Sequence, residues 1–290
     1  MRGLFADAHE HIERGIALYD EVRHEPHRYL YLGHDPAVCA LGIDASVQWI
    51  LGYPERAVRL EREAVALAKR LQHVPSLALA LWFVGDSQIA RDDITAVMTT
   101  ATELRALCEE HGLPYQHAAA LILLGWALAR TGEVGEGTRQ LVEGLGAWNQ
   151  LGARAYVPHG ICLLAESHLV GGRTAEGLEC VARALAIAAD TGEHWSVSRL
   201  HQLQAQLLLQ MHGSDHESAE THLRTAIGTA CAQGARGPEL QAATTLARLW
   251  GDQGKRAEAR NLLAPIYGWF TEGFDTPVLR DANALLDQLT

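Results

Sequence analysis

LGYPERA (51–57) decides the fold, because the chain repeats it at a fixed interval: TGEVGEG (131–137), GGRTAEG (171–177) and QGKRAEA (253–259). Gly213 in HGSDHE (212–217) holds the same place, and RDD (91–93) fills it without glycine. The turns therefore fall at 52, 92, 132, 172, 213 and 254. A self-similar period of about forty residues is the mark of a solenoid, whose units bury their apolar faces only by stacking on neighbours. Such an architecture ordinarily provides a binding surface.

A second series of glycines lies between the first: His111-Gly112, Leu151-Gly152, Thr191-Gly192 and Gln233-Gly234. Glycine supplies the left-handed cap that ends a helix. Alternating the two series predicts a helix over 36–51, a turn, and a helix over 54–71. Further pairs are predicted over 75–111, 114–151, 154–191, 194–233 and 236–270. An orphan helix precedes them near 3–20 and a closing helix follows near 276–289. Pro36, Pro54, Pro75, Pro114, Pro238 and Pro277 sit in proposed first turns, where proline is preorganised. Pro158 falls just inside a helix start, and Pro265 is expected to end or kink the last helix. The expected fold is all-α, a right-handed superhelical solenoid of about six helix-turn-helix repeats. It forms one domain over 1–290, with an orphan helix and loop (1–35), six hairpins (36–270) and a capping helix (271–290).

Seven residues before each turn stands a small residue: Ala45, Gly85, Gly125, Ala165, Ala205 and Ala247. The second helices answer with small residues seven apart, Ala57 and Ala64, Gly137 and Gly144, Gly177 and Ala184, Ala219 and Ala226. Seven residues is two helical turns, so each pair shares one face. This is the packing logic of tetratricopeptide (TPR) repeats, lengthened.

The chain has 290 residues, 48% of them hydrophobic, which is enough for a continuous core. A net charge of −11 and no basic stripe argue against direct binding of nucleic acid. Five dispersed cysteines without a CxxC read as thiols of a reducing compartment. MRGLFADAHEHIERG (1–15) lacks a signal-peptide apolar stretch, and no apolar run suits a membrane span. A cytoplasmic protein that does not contact membrane is expected.

Five stretches carry a resemblance: GHDPAVCAL (33–41), WILGYPERAV (49–58), TGEHW (191–195), LHQLQAQLLLQ (200–210) and LQAATTLARLWGDQGKRAEARNLLAPIYGWFTEGFDT (240–276). They resemble the C-terminal TPR-like region of bacterial regulatory proteins that join a class III adenylate/guanylate cyclase to a MalT-like signal-transduction ATPase. The resemblance implies a sensor or scaffold that regulates an attached output domain. It also implies a small inducer or a protein partner held by the superhelix. Two features depart from the pattern. GDQGKR (251–256) lacks the spacing of a phosphate-binding loop, and the cyclase metal segment is missing, so the chain reads as a fragment or a free-standing relative. The resembled family's W-W-E-A-E is here Trp195-Ser196-Val197-Ser198-Arg199, which removes two acidic residues.

In a TPR register, one column of first-helix positions lines the concave wall: Ser46, Asp86, Trp126, Glu166, Gln206 and Arg248. Adjacent columns add Trp82, His159, Cys162 and Arg199. A groove mixing aromatics with both charges suits a peptide, a protein segment or a polar small effector. The alternative for these residues is ordinary packing or solvated surface.

Fifteen histidines raise the question of a metal. His9 and His11 are two apart and point to different sides of a helix. Asp20, Glu21, His24, Glu25, His27, His34 and Asp35 cluster in the first loop, and His212 and His216 straddle a turn. None of these is a metal motif, and polar surface is the expected role, so no metal or other cofactor is predicted. For catalysis, G-x-S-x-G is absent, and Cys162 with His159, on one turn of a helix, is the only pair worth inspecting for a hydrolase-type site. Two readings follow. One is a non-catalytic interaction or sensor module. The other is a free-standing enzyme using groove histidines and carboxylates, with or without a metal. A third idea is self-association through the orphan helix, whose Leu4, Phe5, Ile12, Ile16 and Tyr19 form an apolar face.

Overall fold

The computed structural model describes residues 2–30, 33–211 and 215–290; the expected fifth turn at Gly213, and His212 beside it, lie outside them. Among the described residues every regular element is a helix. Two helices lead in, α1 (Phe5–Ala17) and the short α2 (His27–Leu30). Six hairpins follow: α3 (Pro36–Leu51) with α4 (Pro54–Arg70), α5 (Val74–Ala90) with α6 (Ile94–His111), and α7 (Pro114–Arg130) with α8 (Val134–Gln150). Then come α9 (Val157–Val170) with α10 (Thr174–Thr191), α11 (Val197–Gln210) with α12 (His216–Ala232), and α13 (Arg236–Asp252) with α14 (Arg256–Tyr267). A closing helix, α15 (Pro277–Gln288), packs on α13 and α14.

The ends of these helices follow the local chemistry. Gly52, Gly112 and Gly192 are left-handed C-caps. Asp35 caps α3 by accepting from the Ala37 and Val38 N–H groups at 2.9 and 3.2 Å. Pro158 lies in the first turn of α9, which begins later than expected, so nothing is kinked there. Pro265 stops α14 within one turn, at Tyr267.

The first helices α3, α5, α7 and α9 pack on both sides and are apolar round most of the cylinder; α7 is buried at all but one position from Ala118 to Ala129. The second helices bury one stripe only, such as Ala57, Glu61, Ala64, Leu67 and Ala68 of α4. The small-residue seam is densest in the third hairpin. A Cβ on Gly125 would stand 2.6 Å from the Gly137 carbonyl oxygen, and one on Gly144 would stand 2.7 Å from that of Ala118. Gly85 is small for a different reason, since its space is taken by Leu123 of the next repeat.

The solenoid closes on itself. α13 packs on α3, and a Cβ on Gly237 would come within 3.0 Å of the Trp49 carbonyl oxygen. The segment YGWFTEGFDT (267–276) clasps the first turn. Glu272 Oε1 accepts from the Glu55 and Arg56 N–H groups at 2.9 and 3.2 Å, capping α4 from the far end of the chain. Glu55 Oε1 in return accepts from the Gly273 N–H at 3.2 Å. Trp269 lies over Gly52 and beside Tyr53, and Arg236 stacks on its ring at 5.2 Å.

The N-terminal helix corrects one expectation. α1 has a partner, because it packs on α3, and Phe5 is buried among Val47, Trp49, Ile50, Ala57, Ala230 and Ala235. It therefore straps the closure from outside. Ile16 and Tyr19 pack on the first hairpin, and of the apolar face only Leu4 remains largely exposed.

Candidate functional site

Closure turns the expected open groove into a central cavity of about 510 Å³. The whole column Ser46, Asp86, Trp126, Glu166, Gln206 and Arg248 reaches its wall. His159 and Arg199 join it, each seven residues before a column position and so nearly on the same face. Trp82 and Cys162 do not. Each lies four residues before the column, rotated by about 40°, and is taken into a core cluster by its neighbours, whereas Gln202 at the same offset on α11 does reach the wall. Trp82 is buried in an aromatic cluster, 5.3 Å from Phe83 and 5.4 Å from Trp148 between ring centres. Cys162 is fully buried with Leu200 and Leu203, and burial pushes its thiol far above the usual range. Cys162 and His159 therefore do not form a dyad.

The cavity's charges come in pairs, each joining neighbouring or facing helices. The Arg199 guanidinium meets Glu166 at 2.7 Å, and the other Glu166 oxygen accepts from the Trp126 indole N–H at 2.9 Å. Arg130 meets Asp92 at 2.8 Å, and Arg248 meets Asp281 of α15 at 2.8 Å. His159 meets Asp86 at 2.7 Å. Burial resists ionisation of Glu166, yet Arg199 and the indole hydrogen bond hold its carboxyl below the ordinary value. Burial likewise opposes charging of His159, but Asp86, with Glu166 and Glu193 beyond, lifts the imidazole above its ordinary value.

The TGEHW segment (191–195) is the hinge of this wall. Gly192 ends α10, and the buried Glu193 accepts from the Tyr156 N–H at 3.0 Å and the Trp195 indole at 2.9 Å. Tyr156 there adopts a left-handed φ of 65°. These contacts set Trp195 against His159, ring centres 4.6 Å apart, on the cavity wall. Ser196, which follows, occupies the N-cap of α11 without capping it, and its buried hydroxyl has no partner.

Sequence reasoning missed Arg130, Gln202, Gln241, Trp195 and Asp281 on this wall. Gln241 stands seven before Arg248, as His159 and Arg199 stand before their column positions, so that row was available. Asp281 was not, because it lies on the closing helix α15, outside the repeats, which reaches the cavity by packing on α13. The histidines of the first loop have local partners: His24 bonds the Asp20 backbone and lies 5.0 Å from His27. His9 bonds Asp44 at 2.8 Å. Among the described residues no three of His, Cys, Asp and Glu converge as metal donors, and no helix is long and apolar enough to cross a membrane.

The solved structures place this arrangement. RapI in its apo form superposes with a TM-score of 0.60 at 8% identity, over 98% of this chain and 99% of that one. A Rap protein complexed with competence and sporulation factor gives 0.66 at 11% identity, over 99% and 87%. A signal transduction ATPase with numerous domains and a tetratricopeptide repeat sensor, from Pyrococcus horikoshii, gives 0.51 at 13%, over 88% and 38%. The fold is a TPR-like solenoid. In sequence, the chain is 28% identical over 233 residues to an uncharacterized protein of Rhizobium meliloti (strain 1021). That match takes in 80% of this chain and spans only 22% of the relative's length. No protein family model matches the chain.

Proposed function

We propose that the chain is a non-catalytic sensor module that holds an effector, a peptide or a polar small molecule, in its central cavity and regulates an attached or associated partner. The observation that carries this reading is the cavity itself. First helices of all six repeats supply its wall, and the buried Glu166 at its centre is fixed in advance by Trp126 and Arg199, as preorganised binding requires. Within this reading 1–290 acts as one unit, and Asp86, Trp126, His159, Glu166, Arg199, Gln206 and Arg248 form the binding wall. Support for a regulatory role comes from the Rap protein solved with competence and sporulation factor and from the ATPase whose repeats are named a sensor. The resemblance to cyclase–ATPase regulators, and a relative more than four times the aligned length, favour a sensor segment working beside an output domain.

A ligand that binds only the folded state raises its melting temperature by mass action. Thermal melts of the chain with a low-mass extract of cells that carry it should therefore show a rise. The Gln206→Trp variant, which fills the cavity from its wall, should show none. An equal rise in both proteins would remove the cavity from the account.

A further inference from the structure

The cavity's polar groups divide sharply into two kinds. Every charged side chain on the wall is already paired with its opposite: Arg199 with Glu166, Arg130 with Asp92, Arg248 with Asp281, His159 with Asp86. The wall groups without a protein partner are neutral. Ser46 and Ser196 have buried hydroxyls with none, and the half-buried Gln206 amide makes no hydrogen bond among the described residues. Ser196 is the more telling of the two serines. A serine at an N-cap ordinarily spends its hydroxyl on the helix, and this one does not.

We infer that the effector is an uncharged molecule, bearing hydroxyl or amide groups on an apolar frame. This rests on the reading of the cavity as the effector site and names the class that site accepts. A charged ligand in the inner part of the cavity would have to compete with the two buried pairs, Arg199–Glu166 and His159–Asp86. Splitting either leaves an unpaired ion in a poorly solvated place, which is strongly unfavourable. Arg130–Asp92 and Arg248–Asp281 are more exposed and lie nearer solvent. An uncharged ligand splits none. The paired carboxylates and guanidinium groups keep spare acceptor and donor positions, so they still hydrogen-bond hydroxyls and amides while paired. Gln206, with its amide oxygen and NH2, matches the same functional groups. Ile50, Ile89, Leu163 and Val278 supply apolar wall for the frame. A volume near 510 Å³ takes a molecule of drug-like size, not a long polymer.

The test is native mass spectrometry of the full chain against pairs that share a molecular frame and differ in ionised groups. The pairs are N-acetyl-trialanine amide and free trialanine, adenosine and adenosine 5′-monophosphate, and a disaccharide and its aldonic acid. At least one neutral member should bind stoichiometrically, and its charged counterpart about tenfold more weakly or worse, the scale of a lost buried partner. Ser196→Ala combined with Gln206→Leu should weaken that neutral ligand about tenfold without lowering the melting temperature of the free chain, since neither side chain bonds to the protein. Preference for a charged member overturns the inference and leaves the effector reading standing. No binding by any member, with no added mass on protein taken from its native cells, overturns both.

Discussion

His159 is where single-residue chemistry is most exposed to test. Its imidazole is buried against Asp86, and its pKa in the folded chain lies above the ordinary imidazole value. A raised pKa means that the folded state binds the proton more tightly. The stabilisation is then fully present below the unfolded pKa and is lost as pH rises through the folded one. Thermal melts across neutral pH should show that loss, and Asp86→Asn should abolish the dependence; a flat profile in the parent chain contradicts the pairing. Glu166 gives a second test, because it holds both Arg199 and the Trp126 indole. Glu166→Ala should cost about 3 kcal/mol by chemical denaturation, the low end for breaking a buried pair because Arg199 keeps some solvent contact. A loss under about 1 kcal/mol would mean that the pair is effectively a surface one. The sequence made the column from Ser46 to Arg248 legible, since a fixed offset from each turn projects to one face. It misplaced Trp82 and Cys162, because whether a residue four before the column meets the cavity depends on what packs beside it: these two are taken into core clusters, whereas Gln202 at the same offset lines the wall.

Among elements, the third hairpin carries the sharpest expectation. Gly125 and Gly137 face backbone across α7 and α8, and a Cβ on Gly137 would stand 2.5 Å from the Gly125 carbonyl oxygen. Gly137→Ala should therefore destabilise by about 1–3 kcal/mol through overpacking. Gly146, on the same helix, has open space, so Gly146→Ala should stabilise by about 1 kcal/mol through helix propensity. Denaturant titrations of the two variants must differ in sign; equal effects would refute the close approach. The hairpins themselves were readable from punctuation alone, because proline and glycine act locally and mark helix ends whatever the tertiary context. The start of α9 was not. Tyr156 delays it by taking a left-handed backbone held by Glu193, a contact 37 residues away in sequence.

For the whole molecule, closure is the feature that no local pattern announced. YGWFTEGFDT ends the longest of the five stretches that carry the resemblance, and it latches onto Gly52–Arg56. Gly52 and Gly132 make a controlled comparison, with φ values of 96° and 104°. Only Gly52 is roofed by Trp269; Gly132 faces open space. Alanine at either position should lose about 1–2 kcal/mol to the left-handed backbone. Gly52→Ala alone should also widen the particle in small-angle X-ray scattering, and an unchanged radius of gyration would count against the latch. Because the cavity draws on both sides of that junction, an effector inside it and a shut ring stabilise each other. Hydrogen–deuterium exchange of the chain, with and without the low-mass extract of its cells, tests this most directly. The account predicts added protection together on the inner helices α9, α11 and α13 and at the latch, 52–56 and 269–273. Protection confined to the outer helices α4, α6, α8 and α10, with the latch unchanged, would contradict it.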